Sequence, residues 1–324
     1  MPKVVPNPND RLWDSLVQSG RQTAGLAQQQ TQVYQDWTRP DPSITYYQYP
    51  ISGMGPTVMD MCLGPDGNLW VASYNAGVWK VTPEGVGTEM LFESRVMGIC
   101  AGPDGNIWAT NNYGNLFKIS TVGSLLGTYS VGTDPFKICV GPDGNLWVSK
   151  YCAVAMVTTG GSVTSYGVGS GSAWTLKGIC AGPGDSIDVW VADSSGSIWS
   201  IEPGGIAGQH SLGTSPQDIC AGPDGNLWVT DSSCVWKYVI ATGGGTSYPY
   251  GGTGICAGPD GNLWIASGGN VYQVNPDGRG TTIDLAAIAV GTNAVAICPG
   301  PTPGKSVWVL DSHSSNPGVW ELIL

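Results

Sequence analysis

Nine cysteines and two histidines are the residues of this sequence that most invite a chemical reading. Thiolates and imidazoles hold metals or act as nucleophiles only at particular spacings, and no Cys-x-x-Cys pair or Cys/His ligand spacing occurs. Seven cysteines instead recur at one place: Cys62, Cys100, Cys139, Cys180, Cys220, Cys256 and Cys298, separated by 38, 39, 41, 40, 36 and 42 residues. Equivalent positions of a closed repeat lie around an axis, with neighbours outside the roughly 4.4–6.8 Å Cα separation of a disulfide. They therefore read as small buried hydrophobes. Cys152 and Cys234 fall in loops and read as free thiols, and the odd total suits a reducing compartment. His210 falls on an expected outer strand and reads as exposed, while His313 lies in the loop DSHSSNPG. No paired base or carboxylate cluster accompanies them, and GxSxG, HExxH and P-loop patterns are missing. No catalytic residue, metal or cofactor is expected.

The elements that position these residues follow from the repeat. GPDGN-[Leu/Ile]-Trp begins at Gly64, Gly102, Gly141, Gly222 and Gly258, with degenerate copies at Gly182 and Gly300. Each copy offers one Asp in a tight turn, not the alternating carboxylates of a calcium loop. A period near 40 with Trp and Gly marks fits four-stranded propeller blades. The unit reads as a short apolar strand, the PDGN turn, a Leu-Trp-Val-Ala strand, a polar loop, a third strand such as VWKV at Val78, and an outer strand such as TEMLF at Thr88. The seventh unit ends after its third strand, and ITYYQYPI at 44–51 can supply the missing one. The expected fold class is all-β, a seven-bladed β-propeller over 44–324 with an N-terminal helical extension. Second-strand Trp70, Trp108, Trp147, Trp190, Trp228, Trp264 and Trp308, and third-strand Trp79, Trp199, Trp236 and Trp320, are expected between blades.

GPDGNLW followed by VWKVTPEG at Val78–Gly85 resembles virginiamycin B lyase-like and NHL/SMP-30-like propellers, over about residues 44–324. In the lyases the resemblance implies a His with acidic residues and Mg²⁺ on one face, within a recurrent Pro-His-Gly-Ile before the inner strand. The matching stretches here read VMGI at Val96, PFKI at Pro135, LKGI at Leu176 and PQDI at Pro216, and none has His. That chemistry is not carried over, and the chain is expected not to be an enzyme.

Residues 1–43 match no blade. A helix over about Asp10–Trp37 would place Leu12, Leu16, Leu26, Val33 and Trp37 on a heptad seam, which the linker RPDPS at Arg39 would end. This segment is expected to be an anchor contacting other chains or a second copy. A neutral anchor joined to a binding head resembles bacteriophage tail and virion appendage proteins. The expected function is thus a structural, non-enzymatic virion component, such as a minor tail protein, displaying a propeller for host-surface glycan recognition. It would be made in the host cytoplasm, since MPKVVPNPNDRLWD lacks an apolar signal region. The alternative is a cytosolic propeller enzyme of the virginiamycin B lyase or lactonase type. The expected binding face, opposite the PDGN turns, carries Tyr74, Asn75, Asn111, Asn112, Tyr113, Tyr151, Trp174, Asp193, Asp231, Asn270, Asp311 and His313. Thirteen basic against 24 acidic residues, net −11, exclude nucleic acid as a partner. No run of ~18 apolar residues exists, so membrane insertion is not expected.

Overall fold

In five repeats the inner strand runs into Pro-Asp-Gly-Asn, whose glycine (Gly67, Gly105, Gly144, Gly225 or Gly261) takes φ between +72° and +76°. Side chains disfavour that conformation, so glycine is what lets the chain reverse here. The computed structural model describes residues 32–34, 44–91, 93–168, 176–300, 306–313 and 317–324, with backbone only for 32–34 and 206–207. Six four-stranded antiparallel sheets follow in chain order. Blade one, for example, is Val58–Leu63, Leu69–Ser73, Gly77–Val81 and Gly87–Leu91.

The seventh sheet closes the circle. Ala294–Pro299, Ser306–Asp311 and Gly318–Ile323 are completed by Thr45–Pro50, which runs antiparallel to the last strand from Thr45↔Ile323 to Pro50↔Gly318. The borrowed strand also supplies a side chain that other blades own. Tyr129, Tyr166 and Tyr248 stack from outer strands on Trp108, Trp147 and Trp228, and Tyr49 stacks on Trp308 in the same way, with centroids 5.5 Å apart and planes 8° apart. Seven apolar clusters fill the seven blade–blade interfaces, the first joining Ile51, Met61 and Trp79 to Trp308 and Leu310. The seven second-strand tryptophans are all buried within them; burying a large apolar side chain is worth roughly 1.5–3 kcal/mol.

Among the described residues the helical extension is not seen. Gln32–Tyr34 form a strand, pairing Val33 with Tyr47 and making a fifth strand on blade seven. Val and Tyr favour extended backbone, and the free edge of Thr45–Pro50 offers the hydrogen-bonding groups to pair with. Of the expected seam, Val33 lies in this strand, while Leu12, Leu16, Leu26 and Trp37 lie outside the described residues.

None of the nine cysteines forms a disulfide, and burial pushes the seven inner-strand thiols well above their usual range. His210 departs from the expected exposure. It takes the outer-strand place of the stacking tyrosines, lies 5.1 Å from the Trp190 ring, and its Nδ1 is 2.8 Å from the Tyr238 hydroxyl.

Candidate active site at the axial mouth

Two residues before each inner-strand cysteine, the seven blades carry Asp60, Gly98, Lys137, Gly178, Asp218, Gly254 and Ala296 in order. Charged residues thus alternate with glycine through the first six blades, and the crowding explains why. A Cβ on Gly178 would lie 2.4 Å from Asp218 Oδ1, and one on Gly98 2.9 Å from the Lys137 Cα. The inner strands leave room for long side chains only where the neighbour has none.

Those side chains meet. Lys137 Nζ lies 2.6 Å from Asp60 Oδ1 and 3.7 Å from Asp218 Oδ2, joining blades one, three and five, which are not neighbours. Each Asp also reaches over the following glycine blade: Asp60 accepts from the Ile99 N–H at 3.2 Å, and Asp218 from Ile255 at 3.4 Å as well as from its neighbour Ile219 at 3.0 Å. Asp60 and Asp218 are buried. Burial alone would depress the Lys137 ammonium, but the carboxylates of Asp218 and Asp60 more than reverse this and hold it above its ordinary range. Burial pushes the Asp218 carboxyl up, with Lys137 pulling against it.

One residue closer to the loop face, the equivalent positions are Met59, Met97, Phe136, Lys177, Gln217, Thr253 and Val295. Lys177 Nζ donates to Gln217 Oε1 at 3.3 Å and lies 5.9 Å from the Phe136 ring centre. Gln217 is held in turn through its Nε2, which donates to the Ser215 carbonyl at 3.2 Å. The mouth therefore has a lysine and an amide in fixed relation, at the position one step outward from the buried Asp60–Lys137–Asp218 bridge.

Sequence reasoning missed Asp60, Lys137, Lys177, Gln217 and Asp218. The expectation of no carboxylate cluster is corrected, because residues 77 and 81 apart in sequence converge on one lysine only when the circle closes. A signal did exist: VMDMC, PFKIC and PQDIC put charges into otherwise apolar inner strands. The Mg²⁺ implied by the resemblance does not fit this donor set. The two carboxylates are already bridged by an ammonium, and among the described residues no three His, Cys, Asp or Glu side chains converge on one point.

The expected binding face divides in two. Asn111, Asp193, Asp231 and Asp311 are buried at the ends of second strands and cap the loops from inside. Asp193 accepts from the Ser195 N–H and Trp199 Nε1, Asp231 from the Ser233 and Cys234 N–H groups, Asp311 from Asn293, His313 and Trp320, and Asn111 from Asn115. Tyr113 and Tyr151 are exposed, as is Asn75. Tyr74, Asn112, Asn270 and His313 are half-buried, and His313 Nε2 lies 3.1 Å from the Val290 carbonyl. Trp174 lies outside the described residues.

Comparison with known proteins agrees with this architecture. A catalytically inactive virginiamycin B lyase from Staphylococcus aureus, crystallised with quinupristin, superposes with a TM-score of 0.76 at 17% identity, over 87% of this chain and 100% of that one. A streptogramin B lyase gives 0.76 at 18% identity, covering 87% and 98%. The WD40 propeller domain of Doa1 gives 0.71 at 13% identity, covering 85% and 96%. No curated protein matches the sequence at a significant level. The sequence profile of the Virginiamycin B lyase family matches residues 42–235. That match overturns the expectation that the chain is not an enzyme, because it points to a lyase-like propeller; nothing among the matches indicates a virion component. With more than half of its length covered by the family profile, the chain belongs to the virginiamycin B lyase family.

Proposed function

We propose that the protein is an enzyme of the lyase type, with its substrate seated over the axial mouth and Lys177 facing the reacting atoms. The observation that carries this reading is the Lys177–Gln217 pair beside a buried, asymmetric ion bridge. A lyase removes a proton from carbon and expels a leaving group, so negative charge builds on the substrate before the bond breaks. A fixed positive group beside that charge lowers the barrier most where water is scarce. Lys177 stands at the second position of LKGI, where the resemblance places a His. Lys177 takes the carbon-bound proton as the base, steadies the developing charge as the ammonium so formed, and returns that same proton to the departing atom. Gln217 fixes its direction. The Asp60–Lys137–Asp218 bridge sets two carboxyl groups against one ammonium, which favours a cation at the mouth.

Quinupristin is a fitting first probe, together with a panel of lactones. The purified protein should convert one of them into a new product on chromatography. Lys177→Met should slow that conversion at least ~100-fold, the usual scale of proton-transfer assistance, with an unchanged melting temperature. Equal rates in the variant, or no conversion of any probe, would refute the reading.

A further inference from the structure

Three described residues other than glycine have a left-handed backbone: Arg95 at φ +60°, Asp134 at +48° and Cys152 at +53°. Side chains disfavour this region, and residues held there cluster at ligand clamps. Arg95 and Asp134 occupy the same place in successive inter-blade loops, five residues before Cys100 and Cys139. The backbone of Arg95 is held from both sides. Its N–H donates to the Tyr74 carbonyl, and its carbonyl accepts from the Asn112 N–H at 3.0 Å.

Its side chain is held by aromatic faces. The guanidinium carbon lies 5.0 Å from the Tyr113 ring centre and 5.9 Å from that of Tyr74. Tyr113 is 60% exposed, and Arg95 is exposed as well. Lys80, Lys118, Lys137 and Lys237 each pair with an aspartate, but among the described residues no carboxylate pairs with Arg95. In a chain of net charge −11 this cation is exposed and, among the described residues, has no carboxylate partner.

Among the described residues no group accepts a hydrogen bond from the Arg95 guanidinium, so its N–H edge is open to match a carboxylate bidentately. We propose that Arg95, Tyr74 and Tyr113 form a carboxylate-binding subsite on the loop face, for an acid whose flat body lies against Tyr113. This subsite does not depend on the lyase reading and is tested without turnover.

Benzoate and its uncharged twin benzamide are the probes, titrated against the full chain with NMR-labelled tyrosines. Benzoate should shift the Tyr74 and Tyr113 signals saturably, and benzamide and inorganic phosphate should bind at least about tenfold more weakly, or 1.4 kcal/mol. Arg95→Gln should weaken benzoate by a similar factor, whereas Lys177→Met should bind it as the parent does. Arg95→Gly should lose binding while raising the melting temperature, because glycine accepts the positive φ. Asp134→Gly should raise the melting temperature and leave binding intact. No saturable shift, equal binding of benzamide or phosphate, undiminished binding by Arg95→Gln, or a lowered melting temperature in Arg95→Gly would each overturn the proposal.

Discussion

The turn face and the axial mouth are built from opposite ends of the same inner strands and follow opposite rules. On the turn face one device is used five times. Asp66, Asp104, Asp143, Asp224 and Asp260 each accept from the indole N–H four residues later, at 3.0–3.1 Å. The second carboxylate oxygen takes Lys80, Lys118 or Lys237 in three blades, and Gln273 in another. At the axial mouth the blades differ from one another: blades one, three and five contribute the charges of the buried bridge, and blade four contributes Lys177. Repetition answers a need that every blade shares, here the partner of a buried indole. Asymmetry is what a site requires, because a circle of identical groups cannot orient an asymmetric ligand.

The sharpest way to break this contrast is Lys137→Met. It leaves two buried carboxylates facing each other without their cation, and should lower stability by about 3–5 kcal/mol, read from urea unfolding at neutral pH. A much smaller loss would mean that water reaches the axis. Asp104→Ala should come next. It strands the Trp108 indole N–H, and leaving a buried donor unmet costs about 1–3 kcal/mol. Blade four already shows that such a loss is survivable: its turn lacks the PDGN aspartate, and Trp190 Nε1 has no partner among the described residues.

Acid should separate the two regions by sign. Burial alone would raise the turn carboxyls. Hydrogen bonds more than reverse this and lower all five, led by those from Lys118 and Trp108 for Asp104, down to about 2. Their stabilising effect is complete above the ordinary carboxyl value of ~3.9 and is lost as pH falls through the native one. Asp218 behaves oppositely: its raised value makes its contribution greatest at low pH and smaller as pH rises through that value. Melting temperature should therefore fall between about pH 4 and 2, and Asp104→Asn should flatten part of that fall. The smallest effect belongs to His210→Tyr, which restores the outer-strand residue of blades two, three and five. A change within about 0.5 kcal/mol is expected, by the same unfolding measurement; a large loss would show that the Tyr238 contact makes blade four depend on its histidine.

The contrast also explains how much could be read beforehand. Seven blades and their closure were legible because GPDGN and the second-strand Trp recur in register, and because ITYYQYPI fills the one missing strand. The strand at Gln32–Tyr34 was not, since three residues carry too little pattern to outweigh a heptad spacing that runs across them. Asp193, Asp231 and Asp311 read as face residues because loop position alone does not say which way a carboxylate turns. Lys137 was hidden for a different reason: nothing local in PFKIC says that its partners lie in blades one and five.

The closing strand has a consequence for the order of events during synthesis. Thr45–Pro50 is made long before its partner Gly318–Ile323. At roughly 5–20 residues per second, an apolar, tyrosine-rich strand must wait tens of seconds for its mate, the kind of exposed edge that seeds aggregation. Among the described residues Gln32–Tyr34 is a neighbour already available, because it pairs with residues 12 to 16 positions away. Such a short loop closes in well under a microsecond. The fifth strand of blade seven can thus serve as a chaperone in cis, shielding one side of the clasp until the chain returns to fasten it.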